Sequence, residues 1–242
     1  MSKGVFVALS GAVVQEQSLE ATAQNVANAS TPGYQRLRPV FKQALSSAMG
    51  GDKKLRYVEV DRTAVDTAPG AVRSTGRPLD VAPPAGAFLA VQTPRGERYT
   101  RAGALGMDAD GQLRAAGMPL LDAAGQPLKV DPKSGQAARV EPDGSVWQGR
   151  AQVGKIKVVS FGKPDAVLPE GHGLVAAGGA GDPQLSKDPL TVGALEDSNA
   201  EPVTAMTDLM SASRTFEAFQ RVLDAFNEVD RKLVTTVPGA FE

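Results

Sequence analysis

Asp108 and Asp110 are the first residues whose spacing suggests chemistry. Together with Gly111 they resemble the opening of a calcium loop, in which acidic oxygens ligate the ion. Such a loop needs a bidentate glutamate at its twelfth position, and that position is Pro119. The same residues suit a hairpin turn, in which aspartate accepts hydrogen bonds from the backbone. The sequence therefore favours a turn over a calcium site.

His172 is the single histidine of the chain and lies between Gly171 and Gly173. One histidine without a cysteine or a second histidine rarely binds a metal, and a Ser–His–Asp triad would have to use this residue. The glycine-rich run 178–181 lacks the Lys-Ser/Thr pair of a phosphate loop. We therefore expect a surface loop at His172, and we predict no catalytic residue, no metal ligand, no cofactor and no cofactor-binding residue.

The charge of the chain is nearly balanced, with 26 basic and 27 acidic residues and a formal net charge of −1. Nucleic-acid binding relies on a basic excess, so we expect no nucleic-acid partner. The absence of cysteine excludes disulfides. No apolar run approaches the ~20 residues of a membrane span. The N-terminus also lacks the basic start and short apolar block of a cleaved signal, so we expect neither stable membrane insertion nor signal cleavage.

None of these residues predicts a catalytic or metal site, so the secondary-structure elements carry the stronger signal. The longest helical pattern covers Asn199–Val237. Asn199 or Ser198 could cap this helix, and Pro202 suits its first turn because proline lacks an N–H group. Apolar residues recur at steps of three and four in a row that only Asp230 interrupts: Leu209, Ala212, Phe216, Phe219, Leu223, Phe226, Leu233 and Val237. This spacing predicts a long amphipathic helix with a seam close to the coiled-coil period.

A second helix is predicted over Lys3–Ala27. Its heptad row contains Val5, Leu9, Ala12, Glu16, Leu19, Ala23 and Val26, and small residues nearby would let a partner helix approach closely. The segment from Asn28 to Gly33 ends the helix, since it combines a left-handed cap residue with proline and glycine.

Between the helices the period of the apolar pattern changes to two. Short strand-like segments are separated by Gly, Pro and Asp turns, which predicts an antiparallel β domain. The strongest single strand is predicted over Lys155–Phe161, with Ile156, Val158 and Phe161 directed to the core. Tyr99 and Trp147 are also expected to be β-core residues.

The predicted fold class is α+β, with long terminal helices pairing as a coiled-coil-like domain and an all-β antiparallel domain inserted between them. The expected boundaries are 1–36 for the first helix and its motif, 37–75 for an extended connector, 76–195 for the β domain and 196–242 for the second helix. Burying the apolar seams of two helices against each other offsets little more than the backbone entropy lost when the helices become ordered. We therefore expect neighbouring molecules to cover both seams.

Ala23–Arg36 (AQNVANASTPGYQR) resembles the ANNLANxxTxGYKR segment of the bacterial flagellar rod and hook proteins. Leu195–Val203 (LEDSNAEPV) resembles their LExSNVNPV entry into the final helix. Within that helix, residues 210–217 (MSASRTFE) resemble EAQRAYE. Residues 77–91 resemble the LDVAIxGxGFFxV run, with Pro83 and Pro84 in place of Ile and a small residue. Tyr99–Gly103 resembles YTRxG.

The resemblance implies a structural, non-enzymatic subunit of the basal-body rod, most like the proximal rod proteins, with the distal rod proteins as the near alternative. It implies export by the flagellar type III apparatus, a periplasmic rod location, and partners that are other rod proteins and copies of this chain. The assembly interface predicted from the seams and motifs is Val5, Leu9, Ala12, Leu19, Asn25, Val26, Asn28, Gly33, Tyr34, Leu209, Phe216, Phe219, Leu223, Phe226 and Leu233. A periplasmic β-domain binding module or enzyme with helical tails remains an alternative, as does membrane-surface attachment through the first helix.

Overall fold

Two long helices precede and follow a run of short strands along the chain in a computed structural model that describes residues 3–46 and 55–236. The fold is α+β, as predicted. Helix α1 spans Lys3–Ala27, the predicted range, and helix α2 spans Pro202–Thr236. Pro202 is the first residue of α2, which confirms its predicted place in the first turn. Val237, the last residue of the predicted second helix, lies outside the described residues.

The strands are short and numbered here in chain order. They are β1 Leu37–Ser46, β2 Leu55–Val65, β3 Val72–Ser74, β4 Val81–Ala82, β5 Ala87–Thr93, β6 Gly96–Thr100, β7 Gly106–Met107, β8 Leu113–Ala115, β9 Met118–Pro119, β10 Ala138–Val140, β11 Ser145–Gln148, β12 Ala151–Lys155, β13 Val158–Ser160, β14 Leu168–Gly171, β15 Leu174–Ala176, β16 Gln184–Leu185, β17 Thr191–Val192 and β18 Ala194–Glu196. One turn of 3₁₀-helix covers Pro164–Ala166.

The chain divides into two units. The first unit contains α1 up to Val26, residues Arg38–Thr63 of the paired strands β1 and β2, and α2 from Val203. The second unit contains Ala27–Leu37 and Ala64–Pro202. Strands β1, β2 and β3 therefore occupy much of the segment 37–75, for which an extended connector was expected.

In the first unit, α1 and α2 touch along small residues. The ring of Phe219 packs onto Gly11, where an added Cβ would lie 2.6 Å from a ring carbon. Gln15 donates a hydrogen bond from Nε2 to the carbonyl oxygen of Ala212, at 3.2 Å. Gln15 follows Gly11 along α1, whereas its partner Ala212 precedes Phe219 along α2. The two helices therefore run antiparallel.

The second unit is organised around a six-stranded antiparallel sheet with the order β14-β15-β6-β5-β13-β16. Alternate residues of β5 belong to different apolar clusters: Leu89 and Val91 to one, Phe88 and Ala90 to the other. The central strand is therefore buried on both faces, which explains its continuous apolar run. Smaller antiparallel sheets, β7-β8-β9, β10-β11-β12, β3-β18 and β4-β17, complete the unit.

The single strand predicted over Lys155–Phe161 is wrong in its continuity. Strand β12 ends at Lys155 and β13 begins at Val158, and the two belong to different sheets. The break arises because the intervening N–H groups bond elsewhere, Ile156 to the carbonyl of Gly144 and Lys157 to that of Leu121. The predicted core residues are confirmed as buried, with Ile156 and Val158 in one cluster and Phe161 in the other.

Tyr99 is a core residue, as predicted, whereas Trp147 is half-buried beneath the guanidinium of Arg139. The ring of Tyr99 meets that of Phe161 edge-on at 5.0 Å between centroids. Burial, with a smaller contribution from Glu97, raises the pKa of Tyr99 to about 12. Burial alone raises the pKa of Tyr34 to about 12.

These two phenols make the stability of the second unit sensitive to alkaline pH. Their pKa is higher in the fold than in the unfolded chain, where it is about 10, so the neutral phenols stabilise the fold below pH 10. That contribution should be lost as the pH rises from about 10 through about 12. We expect denaturant midpoints to fall across this window, and phenolate absorbance to report two late-titrating tyrosines. A variant with Tyr34→Phe and Tyr99→Phe should lose less stability there, and an equal loss in both proteins would contradict the assignment.

Candidate functional site: the terminal helices and the motif junction

The residues predicted for the interface on α1 do not share one degree of burial. Ala12 and Asn25 are buried, Val5, Leu19 and Val26 are half-buried, and Leu9 is 48% exposed. Of the other residues in the predicted heptad row, Glu16 and Ala23 are exposed. The face that meets α2 is instead marked by Ala8, Gly11, Ala12 and Gln15, so it is rotated relative to the predicted row.

The predicted seam on α2 lies on the side that meets α1. Ala205 and Ala212 are buried, and the large members are half-buried. Those half-buried members are Leu209, Phe216, Phe219, Leu223 and Phe226. Leu233 lies within α2, but its side chain is outside the part that the structure describes. The seam follows a seven-residue spacing, since 205, 212, 219 and 226 form one row.

Both helices also carry a second apolar stripe. On α1 this stripe is Leu9 and Val13, and on α2 it is Val203, Met206 and Met210, all of them exposed in the structure. Successive helical residues are rotated by about 100°. Leu9 and Val13 are therefore about 200° from Gly11, and Met210 is about 200° from Ala212. We call these residues the outer stripes: Val13, Val203 and Met210 point away from the contact between α1 and α2, whereas Leu9 and Met206, about 100° from buried Ala8 and Ala205, flank it.

A buried ion pair lies in the second unit, between Arg101 and Glu196, whose side chains are 2% and 3% exposed. Both Nε and Nη2 of Arg101 donate to Oε2 of Glu196. The remaining guanidinium hydrogens go to backbone carbonyls of Pro83, Pro84 and Ala87. Arg101 is therefore neutralised and hydrogen-bonded on every side, as a buried charge must be.

Glu196 also binds two other segments of the chain. Its Oε1 accepts the N–H of Gly70 at 2.8 Å, and its backbone carbonyl accepts the N–H of Gly33 at 2.7 Å. Gly70 and Gly33 are far from Glu196 in sequence, so one residue joins the loop after α1, the loop before β3 and the end of β6 through Arg101.

Asn199 does not cap α2, contrary to expectation. Its Oδ1 accepts the N–H of Arg36 at 2.6 Å, and its Nδ2 donates to the carbonyls of Asp66 and Ala68 at 2.8 Å each. Ser198 accepts from the N–H of Ala200, which precedes the helix. The side chain of Asn199 is therefore used to hold loops together, three residues before the helix begins.

Position 33 requires glycine because of its backbone conformation and because there is no room for a side chain. Its φ is +73°, and an added Cβ would overlap the backbone of Arg101 and Ala102. Tyr34 is buried beside it, and Asn28 is half-buried in the preceding turn. Segments quoted from four motifs thus meet at one place, which we call the motif junction: residues 33–36, 83–87, 101–103 and 195–199.

Sequence reasoning missed the ion pair although both partners lie in quoted motifs. Arg101 follows the core residue Tyr99 by two positions, so strand alternation would have placed it on a buried side. Glu196 lies in an apolar strand whose three residues are all buried. A basic and an acidic residue at inward-facing positions could have indicated a buried ion pair. They are 95 residues apart, however, so the sheet topology must be known before they can be paired.

The other candidate residues have structural roles. Asp108 accepts the N–H groups of Asp110 and Gln112 in the turn between β7 and β8, and the bond from Gln112 is the main cause of its lowered pKa. This confirms the predicted turn. His172 is exposed with φ +54° between β14 and β15, which confirms the predicted surface loop.

Within residues 3–46 and 55–236, no cluster of three or more His, Asp or Glu side chains could hold a metal ion. Neither helix, over its described residues, is long and apolar enough to cross a bilayer.

The terminal helices carry exposed apolar stripes, and a buried ion pair holds the β unit together, which are features of a structural assembly protein. Comparison with known proteins agrees. Residues 7–35 match the family model "Flagella basal body rod protein", and residues 191–236 match "Flagellar basal body rod FlgEFG protein C-terminal".

Individual relatives cover nearly the whole chain. The flagellar basal-body rod protein FlgF of Mesorhizobium japonicum is 32% identical over 220 residues, which is 90% of each chain. FlgF of Escherichia coli is 32% identical, covering 94% of this chain and 95% of the relative. The rod protein FlgG of Bacillus subtilis is 26% identical, covering 97% and 98%. The chain belongs to the family of flagellar basal-body rod proteins, and it is FlgF-like. Members of this family are structural proteins, so the expectation of a non-enzyme is confirmed.

Replacing Gly33 by alanine tests how tightly the motif junction is packed. Gly33→Ala should lower the free energy of unfolding by about 2–4 kcal/mol, because it adds a backbone overlap to an unfavourable positive φ. The measurement is denaturant unfolding monitored by Trp147 fluorescence. Gly76→Ala is the matched control, since Gly76 has φ +70° with no heavy atom within 4 Å of an added Cβ. The control should cost only about 1 kcal/mol. Equal losses in the two variants would contradict tight packing at Gly33.

Proposed function

We propose that this protein is a structural subunit of the proximal part of the flagellar rod, and that it assembles through its two terminal helices to transmit torque. It is exported by the flagellar type III apparatus without signal cleavage and resides in the periplasmic rod. Its partners are copies of itself and other rod proteins. The identity to FlgF relatives, 32% against 26% for the FlgG relative of B. subtilis, favours the proximal over the distal rod.

The observation that carries this proposal is the pair of outer stripes. One face of each helix is taken by the contact between α1 and α2, yet Leu9 and Val13 on α1 and Met206 and Met210 on α2 remain exposed outside that contact. Exposed contiguous apolar side chains lose favourable burial energy in a monomer, about 25 cal/mol per Å². Neighbouring subunits that cover them would stabilise a helical assembly.

We infer that within each subunit α1 and α2 form a coiled-coil-like pair, in which the predicted seam of α2 meets the rotated face of α1. The small residues Ala8, Gly11 and Ala12 on α1 allow close approach, and Phe219 fills the space over Gly11. The half-buried seam residues Leu209, Phe216, Leu223 and Phe226 would gain further burial from a neighbouring helix. The predicted interface residues Val5, Leu19, Asn25, Val26, Asn28 and Tyr34 would contribute in the same assembly. A rod needs contacts that do not close on themselves, and pairing α1 of one subunit with α2 of the next supplies them.

Charges beside the outer stripes favour a parallel pairing between subunits. On α1, exposed Glu16 and Glu20 follow Val13, and on α2, exposed Arg214 follows Met210 by one turn. With Val13 of one subunit opposite Met210 of the next, a parallel arrangement places Arg214 between the two glutamates. An antiparallel arrangement would instead carry these glutamates toward Glu201, the residue just before the other helix.

Disulfide crosslinking tests this contact directly, because the chain has no cysteine of its own. Two proteins, one with Val13→Cys and one with Met210→Cys, are mixed under assembly conditions and oxidised. We expect a mixed dimer as the main product, and every disulfide formed must join two molecules. The yield is read from non-reducing gels with differently tagged chains.

Arg221→Cys in place of Met210→Cys is the matched control. Arg221 is exposed on the same side of α2, about 16 Å further along the helix. It should give a several-fold lower yield of mixed dimer. Equal yields, together with normal motility of bacteria whose only proximal rod protein carries Val13→Glu, would refute assembly through the outer stripes.

A further inference from the structure

Residues 190–199 form a strap across the second unit. Leu190 is buried in the larger apolar cluster. Strands β17 and β18 then pair with β4 and β3. The carbonyl of Gly193 accepts the N–H groups of Thr75 and Gly76, and the N–H of Asp197 donates to the carbonyl of Ala71. The strap ends in Glu196 and Asn199, the two side chains that hold the motif junction.

We propose that this strap is the last part of the second unit to close, and that Glu196 is its latch. The contacts of the strap span very long stretches of chain: 95 residues from Glu196 to Arg101, 126 from Glu196 to Gly70, and 163 from Asn199 to Arg36. Contacts that close such loops carry a larger entropic cost than local ones and form late. The hairpin of β5 and β6, in contrast, is joined by only Pro94 and Arg95.

The latch couples three segments, of which the loop after α1 and the loop before β3 are also linked by the N–H of Asp66 to the carbonyl of Arg36 and through Asn199. Glu196 binds Gly33 and Gly70 while its carboxylate neutralises Arg101. The guanidinium of Arg101 lies 5.8 Å from the ring centre of Phe88, at the edge of the core. When the strap is open, Arg101 has no counter-charge and cannot stay buried. Release of Glu196 therefore loosens the loop after α1, the loop before β3 and the end of β6 together.

A chain made from its N-terminus therefore keeps this unit incomplete until residues 190–199 arrive. The six-stranded sheet can form earlier, because its members lie between Ala87 and Leu185. The unit then has two cooperative states, one with the strap open and one with the strap closed, and opening of the strap is a sub-global unfolding event.

The test is Glu196→Gln in the full chain, which keeps the shape of the side chain and removes its charge. In hydrogen exchange followed by mass spectrometry, peptides covering 30–37, 66–76 and 190–199 should exchange roughly a hundredfold faster. Peptides covering 138–155, which contain β10 to β12, should change by less than about threefold. Uniform acceleration in all peptides, or acceleration confined to 190–199, would overturn the proposal.

Kinetics supply the second readout. If the strap closes last, Glu196→Gln accelerates unfolding and leaves the folding rate nearly unchanged. A variant that mainly slows folding would refute late closure. Glu97→Gln is the matched control, because Glu97 pairs with Lys157 at 2.8 Å but both side chains are only partly buried. It should change neither rate by more than about threefold, and an effect equal to that of Glu196→Gln would also refute the latch.

Asn199→Ala covers the case in which Glu196→Gln fails to fold. It removes the bonds to Arg36, Asp66 and Ala68 and leaves the ion pair intact. The same three groups of peptides should exchange at least tenfold faster. Protection unchanged outside 190–199 in this variant would overturn the coupling.

Discussion

The second unit depends on the neutralisation of one buried charge. Arg101 is buried among backbone carbonyl oxygens, and the carboxylate of Glu196 balances its charge. Removing either partner would strand the other in a medium of low dielectric, which costs about 3–5 kcal/mol. Because of that cost, Ala27–Leu37 and the strap 190–199 stay bound to the sheet while Arg101 is buried. The pair thus specifies which distant segments meet, more than it adds net stability.

The two units divide the tasks of an assembly protein. The second unit is closed upon itself by its double core and its latch, whereas the first unit keeps apolar side chains exposed on the outer sides of both helices. A subunit with a self-sufficient β unit can meet its neighbours through its helices without reorganising its core. The two family models match the two ends of the chain, residues 7–35 and 191–236, and each match covers a terminal helix together with the adjoining part of the second unit.

Local signals predicted much of the fold, and long-range contacts account for what they missed. Helix α1 was predicted to the residue because the segment from Asn28 to Gly33 ends a helix unambiguously. The break at Ile156 could not be predicted, since its N–H partner is set by the approach of Gly144. The prediction that Asn199 caps α2 was wrong for the same reason. Its hydrogen-bond partners, Arg36, Asp66 and Ala68, are distant in sequence. The motifs located the junction residues, but only the topology brings them together.

The central claim is that Arg101 and Glu196 act as a pair that holds the second unit closed. A double-mutant cycle with Arg101→Met and Glu196→Gln, measured by denaturant unfolding, tests it most directly. The account predicts that each single variant is strongly destabilised and that the double variant is far less unstable than their sum, with a coupling free energy of about 2–3 kcal/mol. Additive losses, with a coupling below about 0.5 kcal/mol, would contradict it.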